Sequence, residues 1–135
     1  MQNTQRQASG SDTQSQQHQG EALAIDLTSE TELLQNDEDW RLKGITRKAL
    51  LRYPDFRITL IAMKNKARIE EHHNPGRISV QTVLGHIRMN AAGQTFDLPT
   101  GRVLVLDRAV RHDVEALDDS AFLLTVAMPE DQTSR

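Results

Sequence analysis

From Ile45 to Val126 the apolar and β-branched residues arrive in short runs, each closed by a turn-forming cluster. Ala49–Tyr53 ends at Pro54-Asp55, and Phe56–Met63 ends at the polar break Lys64-Asn65-Lys66. Ala67–Ile69, Ile78–Leu84 and His86–Met89 follow, the last stopping at Asn90-Ala91-Ala92-Gly93. Gln94–Leu98 alternates polar and apolar residues in period two before Pro99-Thr100-Gly101. Val103–Leu106, His112–Ala116 and Ala121–Val126 complete the series. About eight or nine short strands with turn signals roughly every eight to twelve residues mark an all-β sandwich or small barrel. A jelly roll is the economical choice, because closing two sheets over one core leaves little exposed edge.

The segments before this series are of another kind. Residues 1–22 are rich in Gln, Ser and Thr with scarcely an aliphatic side chain. Such a stretch buries too little apolar surface to offset its conformational entropy, so it is expected to be a disordered N-terminal tail. Residues 23–42 read as a short N-terminal helical arm. Ser29 is placed to cap its helix, with Glu32 three residues on, the spacing of a capping box. Asn36–Asp39 ends that helix and Gly44 breaks the pattern, leaving Trp40 and Leu42 to anchor the arm by packing. The barrel is expected over residues 43–129 and a polar C-terminal tail over residues 130–135.

Composition narrows the function. A length of 135 residues suits a single domain. The absence of cysteine excludes disulfides, thiolate metal sites and a cysteine nucleophile. A net charge of -3 argues against a nucleic-acid partner, which calls for a cationic excess. No apolar run approaches the ~20 residues that cross a bilayer, so no membrane association is expected. No apolar stretch follows Arg6, so no secretory signal is read and a cytoplasmic location is expected.

The histidines carry the chemistry. Of five, His18 lies in the polar tail and His86, directly after Gly85, reads as a strand-surface residue. That leaves His72-His73 and, after the Val103–Leu106 run, His112. In an extended strand alternate side chains share a face, so Glu71 and His73 point one way and His72 the other. With His73 and Glu71 turned inward and His112 approaching from across the barrel, two imidazoles and one carboxylate suit Fe, Mn, Zn or Ni. The competing reading makes His72-His73 a solvated loop entry and His112 part of a surface ion-pair cluster with Arg111 and Asp113. Asp97, Asp107, Asp113 and Glu115 read as ordinary surface carboxylates.

Two runs resemble a known family. Ala67–Gly85, ARIEEHHNPGRISVQTVLG, is similar to the first conserved motif of the cupins, and Gly101–Ala116, GRVLVLDRAVRHDVEA, to the second. Fifteen residues separate Gly85 from Gly101, as in small bacterial single-domain cupins, and the likeness covers about residues 43–128. The resemblance implies a jelly-roll (cupin) β-barrel with a ligand pocket at one end. Metal-binding cupins supply two histidines one residue apart, then a glutamate, and a further histidine from the second motif. Carried over, these fall on Glu71, His73, Ile78 and His112. Glu71 is a carboxylate substitute and Ile78 cannot ligate, while a bulge in the strand would bring His72 into the vacant place. The second motif departs from the pattern at Asp107 for proline, Ala109 for the turn glycine and Ala116 for asparagine.

The implied metal set is therefore His73 and His112 with Glu71 or His72, holding a divalent ion (Zn, Fe, Mn or Ni). The expected function is a small cupin domain that binds a small molecule, and with it a metal, with no reaction indicated. The alternative is a non-enzymatic ligand-sensing module in which Ile78, Val80 and Thr82 form the strand face lining an apolar cavity. A third reading is a dimerisation unit. The resemblance implies a homodimer, and the arm around Leu33, Leu34 and Trp40 is placed to cross to a partner.

Overall fold

A computed structural model of the chain describes residues 20–129. The expected tails lie outside these residues, apart from the last few positions of the N-terminal one. Two helices, α1 (Leu27–Gln35) and α2 (Glu38–Lys43), precede nine strands. These are β1 (Ile45–Arg52), β2 (Phe56–Met63), β3 (Arg68–His72), β4 (Arg77–Leu84), β5 (His86–Ala91), β6 (Gln94–Pro99), β7 (Val103–Leu106), β8 (His112–Ala116) and β9 (Ser120–Ala127). They form a five-stranded sheet in the order β1-β2-β9-β4-β7 and a four-stranded sheet in the order β3-β8-β5-β6. All pairs are antiparallel. Successive strands repeatedly change sheets, so the two layers close as a jelly roll.

The inner faces of both sheets meet in one core. Met63, Ile78, Val80, Ile87, Met89, Val114 and Phe122 are buried in it. Ile78, Val80 and Thr82 do share the inner face of β4, and they pack into this core at no more than 4% exposure. Apolar residues alternate with polar ones along β4, β5 and β8 because only one side of each strand meets the core.

The arm covers the outside of the five-stranded sheet. Leu34 of α1 joins Leu60, Ala62 and Ala121 in a second cluster, flanked by Trp40, Leu50, Val83 and Leu123. Lys48 Nζ of β1 donates to Glu30 Oε1 at 2.8 Å, tying helix to sheet. The cap differs from expectation. Asp26, not Ser29, begins α1: its carboxylate accepts from the Ser29 backbone N–H at 3.2 Å and from Ser29 Oγ at 2.9 Å. The helix begins three residues earlier than expected, so Ser29 lies within its first turn and Asp26 supplies the cap, its carboxylate also complementing the helix dipole. These bonds also hold the Asp26 carboxyl below its ordinary pKa.

Asn36–Asp39 does not end helical structure in the arm. Asp37 caps α2, accepting from the Asp39 N–H at 3.0 Å, and Gly44, at φ 82°, closes it. Trp40 anchors the arm as expected, with Lys64 Nζ 4.9 Å from its ring centroid. Leu42 does not: it is 73% exposed.

Candidate histidine site

The geometry around His72 and His112 turns on one irregularity. β3 pairs with β8 through Ile69↔Val114 and His72↔His112, so three residues of β3 span two of β8. The extra residue is a bulge, which reverses the alternation beyond it. Strict alternation sends His73 inward. With the bulge, His72 faces the same side as His112, and His73 lies past the strand end, exposed. The two rings stand edge to face with centroids 4.2 Å apart and planes at 64°. His112 is buried at 4% exposure, against the surface ion-pair reading, whereas His72 is open to solvent.

Each ring is oriented by its own backbone. His72 Nδ1 lies 2.9 Å from the Glu70 carbonyl oxygen, and His112 Nδ1 lies 2.9 Å from the Val110 carbonyl oxygen. A carbonyl only accepts, so in both rings Nδ1 carries the proton and donates. Both Nε2 atoms are therefore left with a lone pair in the neutral state. Among the described residues only the indole Nε1 of Trp40 is a sealed, unpartnered side-chain polar atom. Among the described residues the Nε2 of His112 makes no hydrogen bond.

Burial, above all, lowers the His112 pKa below its ordinary value. The hydrogen bond to Val110 opposes this, the charge His72 would carry adds to the lowering, Asp113 opposes it, and His73 adds a smaller lowering. The sign follows from linkage. The unfolded imidazole takes up a proton near pH ~6.5 while the folded one resists, so stability is full above that value and is lost as pH falls below it. The urea midpoint of the wild type is expected to fall between pH ~7.5 and ~5.5, and this slope to flatten in His112→Gln. Equal slopes in the two proteins would remove the assignment.

The remaining expected ligands are elsewhere. Glu71 Oε1 lies 3.5 Å from Arg111 Nε in an exposed ion pair. Ile78 is a core residue at 4% exposure. Among the described residues no three His, Cys, Asp or Glu side chains are grouped to hold a metal ion. The donor set is two imidazoles, one short of the three protein ligands of a catalytic zinc site. The four-ligand pattern does not fit this chain.

The loops at this end are braced. Ala109 N–H donates to the Asn74 carbonyl at 2.9 Å, joining the β7–β8 loop to the β3–β4 loop. Asn74 Oδ1 accepts from the Gly76 N–H at 3.0 Å, and Arg77 Nε donates to Asp107 Oδ1 at 2.9 Å. The Arg108 N–H and Arg77 hold the Asp107 carboxyl below its ordinary pKa. Ala109, at the position of the family's turn glycine, has φ 61°, so the left-handed turn persists without the glycine.

Asp97 and Asp107 are exposed as expected, whereas Asp113 and Glu115 are half-buried in ion pairs with Arg68, and His86 is half-buried with its Nε2 3.3 Å from Asp97 Oδ1. Sequence reasoning passed over Arg68 and Arg88, and set Arg111 beside His112 and Asp113 rather than against Glu71. Only strand register shows what each arginine faces.

No protein-family model matches the chain, and no curated protein matches it in sequence. Solved structures do. A conserved protein of unknown function from Streptococcus pyogenes superposes with TM-score 0.67 at 22% identity, over 88% of this chain and 99% of that one. An RmlC-like cupin from Desulfovibrio desulfuricans gives 0.58 at 19% identity, over 85% and 97%. A cupin superfamily protein from Desulfitobacterium hafniense gives 0.61 at 16% identity, over 63% and 78%. No helix among the described residues is long and apolar enough to cross a membrane. Two antiparallel sheets closed over one core, in an arrangement shared with these proteins, give this chain the cupin fold.

Proposed function

We propose that this chain is a small-molecule-binding module whose contact point is the His72–His112 pair. The observation that carries the reading is that both Nδ1 atoms stand 2.9 Å from backbone carbonyl oxygens. Both Nδ1 atoms are spent on backbone carbonyls, so each ring keeps an Nε2 lone pair, and the ring centroids lie 4.2 Å apart. A neutral imidazole Nε2 accepts hydrogen bonds, so the matching ligand is a polar molecule with hydroxyl or amine donors. The rings are already oriented, which lowers the ordering cost of binding. No reaction is assigned.

The same tautomer favours a second reading. Backbone-oriented imidazoles are also what a metal ligand requires. A divalent ion would here be held by two nitrogens only, its other positions left to the ligand or water. Thermal-shift measurements with small polyols, sugars and amines, each with and without a chelator, separate the two. Stabilisation that survives the chelator supports direct binding, by mass action on the native state. Stabilisation by Ni²⁺ alone, abolished by the chelator, supports the ion. In either case His72→Ala, at an exposed position, is expected to weaken binding at least about tenfold while the fold is kept. A wild type that responds to none of these probes would sink both readings.

A further inference from the structure

β2 reverses its polarity at its first residues. Ile61 and Met63 belong to the core between the sheets, whereas Leu60 and Ala62 pack under the helical arm. Odd positions of this strand therefore face inward and even ones outward. By that alternation Arg57 and Thr59 point into the barrel, while Phe56, at 40% exposure, and Ile58 point out of it. The unbroken register with β9 agrees: Arg57 is opposite Val126 and Thr59 opposite Leu124, both of the inner face. Arg57 is nevertheless exposed and Thr59 only half-buried, so the core stops at Ile61 and the barrel is open beyond it.

The histidine pair lies at this same end. After Met63 the chain turns at Lys64–Ala67, where the Ala67 N–H donates to the Lys64 carbonyl at 2.9 Å, and returns as β3 in the other sheet. β3 thus runs back over β2, and His72, at its far end, comes over the beginning of β2. His112 is opposite the core residue Ala91 and opposite His72, so both imidazoles face inward. Stacked sheets stand ~10 Å apart, which gives the open mouth two imidazoles on one wall and Arg57 on the other.

Stability does not explain Arg57. It makes no ion pair and no side-chain hydrogen bond among the described residues. Its neighbour across the strand pair is another arginine, Arg52 of β1, and like charges directly opposite each other destabilise a sheet. An inward charge on an edge strand discourages stray pairing, which is reason enough for Arg52. β2 is an interior strand, so that reason does not reach Arg57. Nor does the chain carry a cationic excess, its net charge being -3.

We propose, on the reading that His72 and His112 contact the ligand, that Arg57 receives an anionic group of the same molecule. The ligand is then a small hydroxylated anion, its acidic head a carboxylate or a phosphate. A guanidinium presents paired N–H donors that match either head in bidentate fashion. The imidazole Nε2 atoms accept from the hydroxyl groups. One molecule with both groups bridges the two walls of the mouth.

Isothermal titration calorimetry of the full chain at about 20 mM salt compares gluconate with sorbitol, and glycerol phosphate with glycerol. Within each pair the hydroxylated chain is shared and the charged head is what differs. At least one anion is expected to bind about tenfold or more tighter than its neutral counterpart, with the preference shrinking by about 0.5 M salt. The preferred head separates carboxylate from phosphate. Arg57→Gln should abolish the preference without changing affinity for the neutral partner. Arg57→Lys should keep part of it, as a point charge without the fork. His72→Ala should weaken both members of the pair alike. Because Arg57→Gln removes a like-charge opposition, it is expected to melt at or above the wild-type temperature. Equal binding of anion and neutral partner, still dependent on His72, would overturn the assignment of Arg57 and leave the histidine reading standing. An anion preference that survives Arg57→Gln overturns it as well. Anion binding that needs Arg57 but ignores His72→Ala would keep the arginine and remove the histidines. A wild type that binds none of these probes removes both.

Discussion

Gly85→Ala is expected to leave little folded protein. Gly85 joins β4 to β5, the point where the chain leaves the five-stranded sheet for the four-stranded one, and its φ is +80°. A Cβ there would strike the Asp119 carbonyl oxygen, stand 2.5 Å from Ser120 Oγ and 2.9 Å from Ser120 Cα. Those atoms are held in place. Ser120 is fully buried; its Oγ accepts from the His86 N–H at 2.9 Å and donates to the Asp118 carbonyl at 2.8 Å. The Gly85 carbonyl itself accepts from Thr100 Oγ1 at 2.9 Å.

A left-handed backbone costs a non-glycine residue ~1–2 kcal/mol, and a clash against backbone that is pinned on both sides adds several more. The total, above about 4 kcal/mol, is a large part of the ~5–15 kcal/mol that holds a domain together. Gly101 is the control. Its φ is +95°, but a Cβ there meets nothing within 4 Å, so Gly101→Ala carries the backbone cost alone. Thermal unfolding should show the Gly85 variant melting at least about 15 °C lower, or not folding, and the Gly101 variant only a few degrees lower. Equal melting points for the two variants would refute the account.

The second large effect is at Leu60. It lies on the outward face of β2 with no exposed surface, beneath α1, packed with Leu34, Ala62 and Ala121. Leu60→Ala is expected to cost ~2–5 kcal/mol, because a cavity between a helix and a sheet closes only partly. Leu34→Ala removes the same contact from the helix side, but the arm can detach without unfolding the barrel. Hydrogen exchange distinguishes the two. Leu34→Ala should speed exchange of α1 amides while leaving β2 and β9 protected, whereas Leu60→Ala should lower protection in all three. Protection of α1 equal to wild type in Leu34→Ala would show that the arm is not held by this cluster.

Strand positions were readable in the sequence because one-sided burial writes a period of two and turns need Pro, Gly and Asn. Val103–Leu106, bounded by Gly101 and Asp107, was legible to the residue. The second helix was not. Asn36–Asp39 carries the same polar residues whether it ends one helix or caps the next, and only the packing of Trp40 against the sheet favours the latter. At the histidine site His112 was placed by its motif, but the pairing with His72 required the bulge. The resemblance allowed for that bulge without determining it, since Glu70 and Glu71 have no composition that announces an extra residue.

The amino-acid order alone determined the all-β class, the approximate strand positions, the helical arm and the candidacy of His72 and His112. These follow from local burial and turn chemistry, which each residue carries with it. The bounds were less legible: β1 (Ile45–Arg52) begins four residues before the expected Ala49, and β3 (Arg68–His72) ends three residues past the expected Ile69. Only the tertiary structure decided that His72 rather than His73 meets His112, that Arg111 takes Glu71 away, and that Arg57 faces the barrel interior. All three depend on register between strands distant in the chain, and a one-residue slip there reverses every side chain without changing a letter of the sequence.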